Sequence, residues 1–208
     1  MHNRYTKSTT RKNKFGFIYP DRSFKKYYPM KHLLFVLLLS PVFSIAQVGD
    51  SYKDYLHSEF ADFFHAAEVK RTPYKNGELR EIKTGGFQDY ITIYLYTDTV
   101  SVIIHEATLE IDREWIDEDN GGDLARDLVK SFLLDFISKT DQPKAMAAGD
   151  LLFNHKTTKD QFALNMQDVF NNKKDSLSQQ FSKCVVSTEN FKKDEKTFFR
   201  LKINEAGK

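Results

Sequence analysis

The sequence predicts an α+β fold: an antiparallel sheet built on a hairpin over residues 87–111, with helices at about 50–69 and 123–139 packed on one face. Three patterns predict it. Within 87–97, Ile91, Ile93 and Leu95 alternate with Tyr90, Thr92, Tyr94 and Tyr96, the period of a strand with one buried side. From 123 to 139, Leu124, Leu128, Val129, Phe132, Leu133, Phe136 and Ile137 recur at three- and four-residue steps and so share one side of a helix. The same steps connect Tyr52, Leu56, Phe60, Phe63, Phe64 and Ala67.

Residues 30–46 read as a secretory signal peptide. Met30-Lys31-His32 supplies the charged start, Leu33 to Ala46 is an apolar run of 14 residues, and Ser44-Ile45-Ala46 places small side chains where a signal peptidase inspects them. A permanent span needs about 20 apolar residues. This run is shorter and carries Pro41, so cleavage after Ala46 is expected, with no stable membrane anchor afterwards. Residues 1–29 hold eight Lys or Arg and one acid, and read as a basic leader or as sequence upstream of a misassigned start at Met1. That leaves 47–208 as a single small α+β domain, periplasmic or extracellular.

Charge changes sign along the chain. The whole sequence is +2, but residues 1–47 hold nine of its 31 basic groups and one of its 29 acids, so 48–208 carry 22 against 28, a net charge of −6. A domain of that sign has no general attraction for a phosphate backbone, and no nucleic-acid partner is expected. The only cysteine, Cys184, cannot bridge within the chain, and its neighbours Val185 and Val186 suggest a small core residue.

Taken in order, Asp50 or Ser51 caps the helix over 50–69, with Asp54 adding negative charge to its first turn. His57 and His65 on that helix fall about 80° apart around its axis, out of phase for one metal ion. Two short outer strands follow between Val69 and Gly86, turned at Asn76-Gly77, and Gly85-Gly86 leads into the hairpin. A tight turn at Asp98-Thr99 pairs Thr97 with Val100, Leu95 with Val102, Ile93 with Ile104 and Ile91 with Glu106. The opposite side then presents Tyr90, Thr92, Tyr94 and Tyr96 beside Ser101, Ile103, His105 and Ala107.

Residues 112–123 pack six acids into 12 positions. Read as a calcium loop from Asp117 they fail, because Gly121 and Leu128 stand where oxygen ligands belong. A flexible acidic loop ending in Asp123, the cap of the 123–139 helix, is expected instead. Beyond Pro143 a strand is expected over Asp150–His155. A second strand at Phe162–Met166 competes with a helix from Asp160 on equal spacing. A helix over Asp175–Phe181 and a final hairpin, Cys184–Ser187 with Thr197–Ile203, complete the chain.

Familiar chemistry is absent from the sequence. His105-Glu106 begins like a zinc-protease motif, but Leu109 holds the second ligand position and the segment alternates like a strand. No nucleophile elbow, phosphate-binding loop or dinucleotide fingerprint occurs. No metal and no cofactor is expected. The function expected is that of an exported, non-catalytic binding protein that meets an unidentified protein or small ligand through Tyr90, Tyr94, Tyr96 and His105. The alternative is a small exported hydrolase with paired carboxylates, some of them from Asp117–Asp123.

Overall fold

A computed structural model describes residues 47–118, 121–154 and 158–206. The leader and signal segment expected over 1–46 lie outside them. The described chain starts with α1 (Tyr52–Tyr55) and α2 (Glu59–Phe63), then runs through the meander β1 (Ala67–Tyr74), β2 (Gly77–Lys83), β3 (Ile91–Asp98) and β4 (Ile104–Asp112). Four helices follow: α3 (Arg113–Asp117), α4 (Gly121–Phe136), α5 (Gln142–Asn154) and α6 (Gln161–Phe170). A second meander closes it, β5 (Ser176–Gln180), β6 (Cys184–Lys193) and β7 (Lys196–Glu205). Because β7 pairs with β4, the two meanders join into one antiparallel sheet of order β1-β2-β3-β4-β7-β6-β5. The fold class is α+β, with helices packed on the sheet.

The core lies between sheet and helices. Ile91, Ile93, Leu95, Leu109, Ile111, Phe199, Leu201 and Ile203 face Leu128, Val129, Phe132, Leu133 and Phe136 of α4, all of them buried. Each such side chain contributes about 1.5–3 kcal/mol by leaving water. The expected 123–139 helix is therefore present, and its apolar stripe faces the expected strand side.

The helix expected over 50–69 is instead two short helices and the start of β1. Ser51 caps α1, accepting the Asp54 N–H at 3.2 Å. Buried Ser58 then restarts the chain as the cap of α2, accepting the Ala61 N–H at 3.2 Å. His65, at φ 48°, turns the backbone out of helical geometry, so Ala67–Val69 enter the sheet. Phe63, placed by its spacing in the apolar stripe, is 69% exposed.

The hairpin register also differs. Leu95 faces Ala107, Ile93 faces Leu109 and Ile91 faces Ile111, a displacement of five residues from the tight-turn register. The reason is Asp98, whose carboxylate accepts the N–H groups of Val100, Ser101, Val102 and Ile103 and the Ser101 hydroxyl. These bonds stabilise a long loop in which Val100 is 93% exposed and Val102 sits at φ 55°. A bulge at His105 then reverses the alternation, so Glu106 faces outward and Ala107 inward.

Later elements bring further corrections. Arg113–Asp117, expected within a flexible acidic loop, is α3, capped by Asp112, and Asp123 lies inside α4 instead of capping it. Asp150–Asn154, expected as a strand, belongs to α5, which Pro143 opens in its first turn. Asp160 caps α6, accepting the Ala163 N–H at 2.9 Å, so the helical alternative holds for Phe162–Met166. The helix expected over Asp175–Phe181 is the edge strand β5. The final hairpin is present and longer, turned at Asp194-Glu195 with both residues at positive φ.

Two glycines are fixed by close approach. A Cβ on Gly77 would lie 2.0 Å from the Thr97 carbonyl oxygen, and one on Gly121 1.8 Å from that of Trp115. The turn between β1 and β2 is formed by Lys75, at φ 51°, with Asn76, and Gly77 already pairs with Asp98.

Candidate functional site

Among the described residues the helices lie on one side of the sheet, and the other side carries side chains that are mostly half-buried by their cross-strand neighbours. Alternation assigns Tyr94 and Tyr96 of β3 to this open face, beside Thr108 and Glu106 of β4. The sheet order adds Lys202 and Arg200 of β7, and Tyr74 reaches the same surface from β1.

Tyr96 forms the centre of an aromatic patch. Its ring meets Tyr74 edge-on at 5.4 Å and His105 at 5.7 Å, and Lys75 Nζ lies 4.9 Å from the centroids of both tyrosines. Cation–π attraction of this kind contributes on the order of 0.5–1 kcal/mol at an exposed site. The imidazole is held on both sides: Nδ1 lies 2.8 Å from Glu205 Oε2, and Nε2 lies 3.3 Å from Asp98 Oδ2. Hydrogen bonds from the Ser101 hydroxyl, then from backbone N–H groups, hold the Asp98 carboxyl well below the usual carboxylate range. His105 therefore acts as a strut between β4, β7 and the 98–103 loop, and its ring edges are already occupied.

Tyr94 lies deeper in the face. Burial first, and then the charges of Glu110 and Glu81, push its phenol up to about 12. A shallow hollow of about 270 Å³ opens beside it, lined by Tyr74, Glu106, Thr108, Glu110, Arg200 and Lys202 among others. Four charged side chains of this hollow are paired: Glu106 lies 2.9 Å from Lys202 and 3.4 Å from Lys75, while Arg200 lies 2.7 Å from both Glu110 and Glu189.

Of the residues singled out in the sequence, Tyr94, Tyr96 and His105 thus meet on one surface and Tyr90 does not. Tyr90 lies in the turn before β3 and stacks on Trp115 of α3 at 5.7 Å and 12°. Six residue steps of extended chain, about 20 Å, separate it from Tyr96. Tyr74, Lys75 and Glu205 belong to the patch and were missed, because they come from segments that only the sheet order brings together. In the 112–123 run, Asp117 is bonded to Arg113 and Asp123 to Arg126, both at 2.9 Å, while Asp112 pairs with Lys196 of β7 at 2.8 Å.

A second concavity lies in the helical layer, between α2 on one side and α4 with α5 on the other. Its volume is about 570 Å³, and its lining includes Phe60, Phe63, Phe64, Leu134 and Met146 with Glu59, Asp62, Asp127 and Asp135. Among the described residues no cluster of His, Cys, Asp and Glu has the arrangement of a metal site, and no helix is long and apolar enough to cross a membrane. No protein-family model, curated protein or solved structure matches the chain.

Proposed function

We propose that this is a non-catalytic binding protein, exported to the periplasm or beyond the cell, which meets its partner with the open sheet face around Tyr74, Tyr94 and Tyr96. The observation that supports this reading is the aromatic patch itself, preset by ring contacts and by the Asp98–His105–Glu205 clamp on a sheet face that no described helix covers. Tyrosines held in place offer stacking area and a hydroxyl with little ordering cost on binding. Since Lys75, Lys202 and Arg200 of the face already have carboxylate partners, an apolar or hydrogen-bonding partner is favoured over a highly charged one.

The test uses the full chain and a Tyr94→Ser, Tyr96→Ser double variant as baits against the exported protein and metabolite fraction of the producing cells. A ligand retained by the parent and lost by the variant, at equal melting temperature, supports the reading. Equal retention by both moves the site elsewhere. For export itself, the intact mass of protein recovered from outside the cytoplasm should match a start at Gln47, and a species retaining residues 1–46 contradicts it.

A further inference from the structure

We propose that the groove between α2 and the α4–α5 pair docks a basic amphipathic peptide segment of a partner protein, with lysines or arginines flanking apolar residues at helical spacing. This surface lies in the helical layer, and the inference is independent of the reading of the sheet face.

Two features of the groove define its occupant. The first is apolar: Phe63 is 69% and Met146 49% exposed, two large hydrophobic side chains standing on opposite walls of the same concavity. Beneath them Phe60 and Phe64 form the floor, and Phe60 packs edge-on to Phe132 of the core at 5.7 Å. The floor is therefore rigid, and the exposed pair is not needed to complete the core. A groove of this size has room for one or two bulky apolar side chains.

The second feature is charge. Glu59, Asp62 and Asp127 form an acidic rim on the groove, with Asp135 buried below it, and among the described residues no lysine or arginine lines it. Nearby cations are engaged elsewhere: Arg126 with Asp123, Lys130 with Asp150, and Lys144 over the Phe181 ring. An apolar occupant without charge would leave this acidic rim unmatched, and an anionic one would be repelled. A helix presenting apolar anchors with flanking Lys or Arg satisfies both features at once, as in other helix-in-groove recognition. An anionic membrane surface is disfavoured by the same argument.

The test is fluorescence anisotropy with the full chain and a labelled 14-residue peptide of Leu and Lys at helical spacing, with its Glu-for-Lys counterpart as control. Saturable binding of the Lys peptide alone is expected, weakened at least tenfold by Asp62→Asn with Asp127→Asn, and likewise by Phe63→Ser with Met146→Ser. These side chains are peripheral to the core, so melting temperatures should stay at the parent value, and both variant pairs report on binding. Four results overturn the proposal. The first is no saturable binding, and the second is binding that survives both pairs of substitutions. The third is a dimer of the chain that Phe63→Ser dissolves, which would assign the groove to a second copy. Binding of tetrabutylammonium without binding of the peptide would also overturn it, in favour of a small-cation site.

Discussion

Arg80 offers the sharpest test of how the sheet is held beneath the helices. It is 3% exposed and faces the helical side of β2, where its guanidinium lies 2.8 Å from Glu68, 2.7 Å from Glu78, 3.1 Å from the Thr97 hydroxyl, and 4.4 Å from the centroid of the Tyr52 ring. Arg80→Ala removes all four contacts and leaves Glu68 and Glu78 with half-exposed Arg71 as their shared cation, at 2.8 and 3.6 Å. Losing one partner of a buried ion pair costs about 3–5 kcal/mol. Glu68 and Glu78 retain some access to water, which places the expected loss at the low end, about 3 kcal/mol. For a domain of this size that is a fall of roughly 6–12 °C in melting temperature. Urea unfolding should show a lower midpoint at unchanged slope. Replacing the whole cluster (Arg80→Leu, Glu68→Gln, Glu78→Gln) should recover most of the loss, because no buried charge is then left unpaired and Arg71, which gives up both glutamates, is half exposed to water. A melting temperature for Arg80→Ala within about 2 °C of the parent would refute the assignment of Arg80 as a buried tie between β2, β3 and α1.

Three further outcomes are expected. Leu128→Asp or Ile93→Asp should abolish folding, since either places a carboxylate in the α4-on-sheet core at a cost comparable with the roughly 5–15 kcal/mol stability of a domain, and an unchanged thermal melt would contradict it. Glu68 and Asp141 are both titrated below their ordinary range: burial opposes this in each, but bonds from Arg80, Arg71 and Tyr52 hold Glu68 down, and bonds from Ser182 and Ser138 hold Asp141 down. Their stabilisation is complete above about pH 4.5 and is lost as pH falls through the lower folded values, so melting should be level from neutral to mildly acid pH and then decline. Asp141→Asn should start lower and decline less, and an acid limb as steep as the parent's would show that Asp141 contributes nothing. Cys184 is 2% exposed and burial pushes its thiol up to about 11, so Ellman's reagent should react on the order of a hundredfold faster in urea than with the native chain, and rapid native labelling would contradict the packing of β6.

What was legible in the sequence and what was not follow from one physical distinction. Alternation and helical spacing report burial, so Ile91, Ile93, Leu95 and the stripe on α4 were readable, and with them Tyr94 and Tyr96 as outward neighbours. Leu151 and Leu152 were misassigned for the same reason: adjacent apolar residues fit a buried strand and a buried helix equally. β5, with Leu177 as its single apolar residue, carries almost no burial signal, as suits an edge strand.

Where the chain changes direction, burial periodicity says nothing, because side chains bonding to backbone decide the outcome. Ser58 divides one apparent helix into two, and Asp98 replaces a two-residue turn by a long loop that displaces the hairpin by five residues. The displacement and the bulge act in opposite senses on the pattern. An odd shift alone would have exchanged the two sides of β4, but the bulge at His105 exchanges them only beyond that residue, so Ile104 stays inside as expected while Glu106 and Ala107 trade places. The candidate site depends on that local reversal. It puts Glu106 on the open face, where Lys202 and Lys75 meet it, and it leaves His105 at the seam, where Asp98 and Glu205 hold its ring against Tyr96. The residue that fixes the loop is thus also a partner of the histidine that fixes the patch. Asp98→Ala should therefore loosen the 99–103 loop and the Tyr96 ring together, a coupling that hydrogen exchange at Ser101 and side-chain relaxation at Tyr96 would register as one event, and two independent responses would separate the loop from the site.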